Sequence, residues 1–200
     1  MQEQLDTKTR IFHAALRLFA QSGVENVSMR DLADVAGIQA GSIYNHYKNK
    51  EELVEACYAF FLKYHDSTKL QREEYLPILE TGTKEEVLSA LNYRVPLEVL
   101  KYLIPAMIVL FSRIHTDATA RDYYTKMIDR SIQFLREYFE AGIQVGRFKE
   151  FDIMGASMIF QAARLFIAQS VSVQSTEIDD WTNAETKMFS VLPDFLPFQY

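Results

Sequence analysis

Apolar residues recur every three or four positions in the N-terminal part of the chain, and this spacing predicts three short helices. The helices cover residues 8–22, 29–36 and about 40–47, with glycines in the turns at positions 23 and 37. The apolar positions expected to be buried are Ile11, Ala14, Ala15, Leu18, Phe19, Leu32, Val35, Ala36, Ile43 and Tyr47. Two short helices joined by a glycine-containing turn, as in the last two of the three, are typical of a helix-turn-helix.

Helical spacing continues, less sharply, to the C-terminus. A fourth helix is predicted from Lys50 to about residue 64–69, and no flexible linker precedes it, so it would form a rigid bridge. Further helices are predicted at 72–80, 84–92, 96–115 (bent at Pro105), 119–145, 152–173 and 182–192. With only seven glycines and five prolines, the chain is predicted to be all-α. Residues 1–49 would form a helix-turn-helix domain and residues 50–200 a second helical domain.

The net charge of −6 is unevenly distributed along the chain. Residues 1–50 contain six Lys/Arg and five Asp/Glu, whereas the other 150 residues contain 15 and 22. The first domain is therefore free to approach phosphate, which permits DNA binding without proving it. A polar N-terminus, a longest apolar run of nine residues (103–111) and a lone Cys57 favour a cytoplasmic protein with no membrane span and no disulfide.

Many residues at fixed spacing in positions 8–55 follow one known pattern. The residues that carry it are TRI at 9–11, SMRDLA at 28–33, AGI at 36–38 and, above all, GSIYNHYKNKEEL at 41–53. In these positions the chain resembles the TetR family of transcriptional regulators, with Tyr47 where the family usually has phenylalanine. The resemblance implies an all-helical ligand-binding and dimerisation domain after the helix-turn-helix, and a homodimer that binds a double-stranded DNA operator.

The third helix is expected to enter the major groove, with the first helix of the motif against the DNA backbone. Its polar side contains Gln39, Ala40, Ser42 and Asn45, of which the two amides match the edge of adenine. Gly41 either allows close approach to DNA or merely starts the helix late. The whole predicted DNA-binding set is Ser28, Arg30, Gln39, Ala40, Gly41, Ser42, Tyr44, Asn45, His46, Lys48 and Lys50.

Several of these residues are assigned to phosphate. Tyr44 and His46 can each donate a hydrogen bond, and the resemblance implies that they hold phosphates together with Lys50. Ser28 stands at a helix N-terminus, where free N–H groups attract an anion; the alternative is a simple cap, and both roles can hold together. For Tyr44 the alternative is partial core packing, and for Lys48 it is a plain solvated charge.

The second domain is rich in aromatic residues and is expected to bind a partly apolar small-molecule effector. The candidate contacts are Phe61, Met107, Phe111, Phe134, Phe160 and Arg164, although each apolar residue, taken singly, is better explained as core. The 152–173 helix is apolar all round, so one side is expected to face the domain core and the other a symmetry mate. Arg164 within it would pair with a carboxylate across that interface or hold an anionic ligand head.

The leading interpretation is a dimeric DNA-binding regulator, a repressor released from a near-palindromic operator by a small molecule. The alternatives are an all-helical small-molecule carrier or enzyme, and a protein-interaction module that has lost DNA binding. The sequence contains no phosphate-binding glycine loop, nucleophile motif or zinc motif, and the four histidines lack metal-ligand spacing. No catalytic residue, metal or cofactor is therefore predicted.

Overall fold

The computed structural model describes residues 5–91, 96–174 and 196–199. These residues form eight α-helices, which are α1 (Thr7–Ser22), α2 (Met29–Ala36), α3 (Lys50–Ser67), α4 (Arg72–Thr81), α5 (Lys84–Ser89), α6 (Leu97–Arg113), α7 (Ala118–Gln144) and α8 (Ile153–Gln174). Two 3-10 helices, Val24–Asn26 and Ala40–Asn45, lie in the N-terminal part. The predicted all-α class is confirmed.

Most predicted helices begin and end within a few residues of the observed ones. The third helix is an exception, because it is a 3-10 helix that ends at Asn45 instead of an α-helix reaching Tyr47. The glycine at its second position disfavours an α-helix, and no side chain caps this segment, whereas the equally short α5 has a capping box. The predicted helix at 182–192 lies outside the described residues.

Two compact units divide the chain. The N-terminal unit consists of Met1–Tyr64 and Leu97–Thr125, and the C-terminal unit of His65–Pro96 and Lys126–Tyr200. The predicted domain boundary after residue 49 stays a prediction.

The core of the N-terminal unit forms where α1 packs against α2 and α6. Ile11, Ala15 and Phe19 of α1 are buried, as predicted. Leu16, which was not predicted, is also buried, whereas Leu18 is half-buried. The buried surface of α1 is wider than one stripe because two helices cover it.

The predicted burial of Val35 is wrong, since its side chain is 42% exposed. The buried residues of α2 are Leu32, Ala33 and Ala36. At 3.6 residues per turn, Val35 lies roughly 100° from the centre of the face that these three define. The apolar spacing predicted the helix correctly but predicted the wrong centre for its buried face.

An aromatic core fills the C-terminal unit. Tyr138 and Phe139 of α7 are fully buried and contact rings from neighbouring segments at centroid distances of 5.1 Å for Tyr75 and 5.5 Å for Phe160. The Tyr138 hydroxyl donates a 2.6 Å hydrogen bond to the carbonyl of Val87. Asp152 caps α8, where its carboxylate accepts from the Gly155 N–H at 2.9 Å.

One side of α8 is apolar and exposed in the single chain. Met154, Met158, Ile159 and Phe166 have exposed fractions of 44%, 56%, 70% and 71%. Ser157, Phe160, Gln161 and Arg164 form its buried side. Within the described residues, no single helix is both long and apolar enough to cross a membrane; only α6 and α7 taken together, across a sharp bend, reach that length and composition.

Candidate nucleic-acid interface

Local hydrogen bonds fix both ends of α2 and so fix the turn that follows it. At the N-terminus, the Ser28 hydroxyl accepts from the Asp31 N–H at 3.2 Å, and the Asp31 carboxylate accepts from the Ser28 N–H at 2.8 Å. At the C-terminus, Gly37 adopts a left-handed conformation with φ of 67°, and the Ile38 N–H donates to the Ala33 carbonyl at 3.0 Å. Glycine adopts this conformation without steric cost. The turn therefore sets the direction of the next segment.

The 3-10 helix Ala40–Asn45, called the recognition helix below, presents its polar residues in columns. Three residues per turn bring positions i and i+3 onto one side. Gln39, immediately before the helix, therefore lies in a column with Ser42 and Asn45, and all but half-buried Ser42 are exposed. Ile43 is fully buried and anchors the opposite side.

The remaining predicted base contacts lie on other sides of the recognition helix. Ala40 and Gly41 are exposed, and no atom lies within 4 Å of a Cβ built on Gly41. Ala40 shares the column of buried Ile43, so it presents its methyl group only at the first turn.

Some of the residues predicted to bind the DNA backbone are exposed, and others already contact groups of the protein. Tyr44 is 55% exposed, so partial core packing does not explain it. Arg30 and Lys48 are exposed, and His46 is half-buried. All these groups can donate hydrogen bonds to phosphate oxygens.

Ser28 and Lys50 already have partners in this structure. The Ser28 hydroxyl lies 2.7 Å from the Asp31 carboxylate, so the cap is formed and a carboxylate occupies the helix N-terminus. The Lys50 ammonium donates a 2.8 Å hydrogen bond to the Val24 carbonyl. An ammonium has three donors, so Lys50 can hold Val24 and a phosphate at once.

Tyr47 and Asn49 join the recognition helix to α3. Tyr47 is buried, with the Lys8 ammonium 5.4 Å from its ring centre, and burial raises the pKa of its hydroxyl to about 12. The Asn49 side chain accepts from the Glu52 N–H at 2.8 Å and caps α3. The recognition helix is thus held between the Gly37 turn and a capped helix.

This segment of the chain has known relatives. Residues 11–57 match the family described as bacterial regulatory proteins, tetR family. Over these residues the chain is similar to TetR-family regulators. The regulator TtgR of Pseudomonas putida is 38% identical over 65 residues, which are 32% of this chain and 31% of that protein. The transcriptional repressor KstR2 of Mycolicibacterium smegmatis is 36% identical over 76 residues, 38% of this chain and 34% of that protein.

The chain therefore aligns with about a third of the length of these TetR-family relatives. Over the whole fold, a transcriptional regulator from Saccharomonospora viridis in complex with choline superimposes with a TM-score of 0.73. The superposition covers 96% of this chain and 98% of that one at 16% sequence identity, so it shows the fold alone.

A chain of polar contacts that the sequence did not predict crosses the N-terminal unit beside the TetR-family motif. Arg113 of α6 forms a 2.5 Å ion pair with Glu25, which follows α1, and a 3.4 Å contact with Asp117. Asp117 accepts from the Tyr58 hydroxyl of α3 at 3.0 Å. The hydrogen bond and charge of Arg113 lower the pKa of Glu25. These residues line a cleft of about 630 Å³ that also contains Lys48 and Lys50.

The predicted effector contacts fall into the two units separately. Phe61, Met107 and Phe111 belong to the N-terminal unit, where the rings of Phe61 and Phe111 lie 6.2 Å apart. Phe134, Phe160 and Arg164 belong to the C-terminal unit. Arg164 is buried and donates to the carbonyl of Leu91.

Three residues of the C-terminal unit have the order of a catalytic relay, which bears on the alternative of an enzyme. Ser131 Oγ lies 3.0 Å from Nε2 of His65, whose Nδ1 lies 3.4 Å from the Asp66 carboxylate. Ser131 is fully buried, however, and burial lowers the pKa of His65 to about 4. An inaccessible hydroxyl beside so weak a base is not an activated nucleophile. This arrangement therefore gives no support to hydrolysis.

Proposed function

We propose that the protein is a homodimeric transcriptional regulator that binds a near-palindromic operator and releases it when a small molecule binds. The observation that carries this proposal is the polar column of Gln39, Ser42 and Asn45, which is exposed at both ends and held in a fixed direction by the Gly37 turn. Amide and hydroxyl groups in this position suit base edges in the major groove. Tyr44 and Lys48 beside it would hold the DNA backbone.

The relatives support repression, and they support a small molecule as the effector. KstR2 is a repressor, and the Saccharomonospora viridis regulator is seen with choline bound. We therefore propose repression in the cytoplasm and release by an effector that contacts apolar residues of the helical domain. Such release requires the effector to bind the form with low DNA affinity more tightly.

The dimer is supported by the exposed apolar side of α8. Large side chains such as Ile159 and Phe166 form a surface of the kind that monomers seldom expose to water. A two-fold dimer would bury this surface against its own copy and place two recognition helices about one DNA turn apart.

Fluorescence anisotropy with the DNA upstream of the protein's own gene tests DNA binding. We expect affinity to fall steeply with salt, and Tyr44→Phe and Lys50→Ala each to weaken binding by about tenfold. Lys50→Ala should also reduce the slope of log affinity against log salt by about 1. Lys63→Ala, which removes an exposed lysine from the same helix, is the matched control and should bind like the wild type. Salt-independent binding, or unchanged binding in both test variants, would contradict the proposal.

A further inference from the structure

Two side chains from distant helices meet on the short segment between α1 and α2. Glu25 in this segment forms a 2.5 Å ion pair with Arg113 of α6. The Lys50 ammonium of α3 donates a 2.8 Å hydrogen bond to the carbonyl of Val24, the residue directly before Glu25. All four residues line the cleft of about 630 Å³ in the N-terminal unit. One carboxylate therefore lies close to two cations.

Peptide geometry shows how close the Lys50 ammonium is to Glu25. A trans peptide places a carbonyl oxygen about 3 Å from the Cα of the next residue. The ammonium bound to the Val24 oxygen is thus within about 6 Å of the Glu25 Cα. A glutamate side chain can span this distance, and that of Glu25 is 77% exposed and so not confined by packing. The pKa of Glu25 is lowered mainly by the hydrogen bond and charge of Arg113 and, to a smaller extent, by the charge of Lys50.

Lys50 is also a predicted DNA contact, so a carboxylate beside it affects DNA binding. Such a carboxylate competes with a phosphate for the ammonium, and it repels the phosphate itself. Lys48, another predicted contact, lines the same cleft as Glu25. Among the described residues, Arg113 is the only cation that forms an ion pair with Glu25. This pair therefore keeps the carboxylate from Lys50.

The Arg113 guanidinium is fixed in place from its other side. Its Nε lies 3.4 Å from the Asp117 carboxylate. Asp117 in turn accepts from the Tyr58 hydroxyl at 3.0 Å and from the Thr119 N–H at 2.8 Å. An ion pair between two mobile surface side chains contributes little, because both lose conformational freedom. Here one partner is already held, so the pair with Glu25 costs less entropy.

We propose that Arg113 is a positioning residue for DNA binding, which holds the Glu25 carboxylate away from Lys50 and so leaves the Lys50 ammonium for a DNA phosphate. This inference rests on the proposed function, because it concerns the availability of a proposed DNA contact. Arg113 acts through Glu25 and does not itself contact the DNA. Glu25 is then an inhibitory group that the folded protein neutralises.

Two other roles for Arg113 predict different effects of its substitution. If the ion pair were a mechanical tie that orients α2, breaking it from either side would weaken DNA binding. If Arg113 held a phosphate itself, its loss would weaken binding whatever residue stood at position 25. In the proposal only the loss of Arg113 is harmful, and neutralising Glu25 corrects it. The variant Glu25→Gln therefore distinguishes the three roles.

The test measures anisotropy of the DNA upstream of the protein's own gene with the full-length protein. At about 0.1 M salt we expect Arg113→Met to weaken DNA binding by about tenfold, because it frees a carboxylate about 6 Å from a phosphate contact. Glu25→Gln alone should bind as tightly as the wild type or more tightly. The double variant Glu25→Gln with Arg113→Met should bind within about threefold of Glu25→Gln.

Arg121→Met is the matched control for the lost positive charge. Arg121 is an exposed arginine near the start of α7, and its described hydrogen bonds go to the carbonyls of Ile114 and His115. Its substitution removes the same charge without freeing a carboxylate, so this variant should bind DNA like the wild type.

A second arm tests whether Arg113 acts through Lys50. In a Lys50→Ala background, the loss caused by Arg113→Met should shrink to about threefold or less, because the ammonium that Glu25 would capture is gone. Tm of every variant is measured as well. Glu25→Gln does not restore the contact of Arg113 with Asp117, so a recovery of DNA affinity in the double variant cannot be a recovery of stability.

Equal losses in Glu25→Gln and Arg113→Met would overturn the inference in favour of a mechanical tie. A loss in Arg113→Met that Glu25→Gln does not reverse would overturn it in favour of direct DNA contact or a folding defect. Unchanged binding in Arg113→Met, or an equal loss in Arg121→Met, would overturn it too. A wild-type protein that does not bind this DNA would contradict the proposed function, whereas the other results leave the proposed regulator standing.

Discussion

The sequence leaves two roles open for Gly41: it allows close contact with DNA, or it merely makes the helix start late. No atom lies within 4 Å of a Cβ at this position, and its φ is not positive, so alanine meets neither a clash nor strain. We expect Gly41→Ala to leave Tm unchanged or raise it, because alanine favours helix by about 1 kcal/mol.

The same substitution should lower DNA affinity by about tenfold if the backbone approaches the DNA at Gly41. Anisotropy with operator DNA measures this, and Tm of the same preparation serves as the control for folding. Unchanged DNA affinity together with a higher Tm would favour the late helix start.

The burial of His65 predicts how the stability of the protein depends on pH. Burial lowers its pKa from 6.5 to about 4, so the folded protein binds fewer protons than the unfolded chain between these values. The contribution of His65 to the free energy of unfolding should therefore be fully present above pH 6.5. It should be lost as the pH drops toward 4, which lowers the free energy of unfolding by up to about 3 kcal/mol.

Urea unfolding at a series of pH values measures this fall. His65→Gln should remove most of it, whereas His13→Gln should retain it, because His13 is only half-buried against the ring of Tyr102. Hydrogen bonds lower the pKa of Asp66 from 3.8 to about 2, so Asp66 changes the stability of the protein below this pH range. A wild-type stability that is constant from pH 6.5 to 4 would contradict the prediction.

At the scale of elements, prediction succeeded where the deciding contacts are local. The cap of α2 joins residues three apart, and the Gly37 turn joins residues five apart, so both can be inferred from the neighbouring sequence. The recognition helix shows the limit of this approach. Its apolar spacing fits either helix type, and only the hydrogen bonds decide that it ends at Asn45.

Contacts between distant residues account for what the sequence did not predict. Arg113 and Glu25 are 88 positions apart, and Ser131 and His65 are 66 apart. Neither residue of such a pair has a local signature, since a surface arginine and an interface arginine look alike in sequence. The candidate DNA-binding residues could thus be predicted by position, whereas the polar contacts of Arg113 and His65 could not.

Asp117 connects two helices of the N-terminal unit and caps a third. It accepts from the Thr119 N–H at 2.8 Å at the start of α7 and from the Tyr58 hydroxyl at 3.0 Å. We expect Asp117→Ala to lower the free energy of unfolding by about 1 to 2 kcal/mol, because a cap and a hydrogen bond are lost together. Urea unfolding measures the change. Asp129→Ala, on the exposed side of the same helix, is the control and should change stability little; equal losses in both variants would contradict a specific role for Asp117.

At the scale of the whole molecule, the two units differ in the chemistry of their interiors. None of the described residues of the N-terminal unit is a buried polar or charged residue, and its predicted DNA contacts Gln39, Tyr44 and Asn45 are exposed. The C-terminal unit instead contains buried polar residues, among them Arg164 and Gln161. This separation suits a protein that recognises one partner by surface contacts and another by enclosing it.

The exposed apolar side of α8 predicts the oligomeric state. Phe166 is 71% exposed and Ile159 is 70% exposed, and a dimer interface is the arrangement that removes both from water. We expect Phe166→Asp and Ile159→Asp to convert a dimer into a monomer, because each places a charge in the buried interface. Analytical ultracentrifugation at several protein concentrations measures this change.

Val145→Asp is the control for the dimer, since Val145 is also an exposed apolar residue, at 36%, but lies after the end of α7. It should remain dimeric. Monomeric variants that keep their helical circular dichroism should lose operator affinity far more than Val145→Asp does, because one recognition helix then contacts only one half-site. A dimer that persists in both α8 variants would place the interface elsewhere, and the apolar side of α8 would then need another partner.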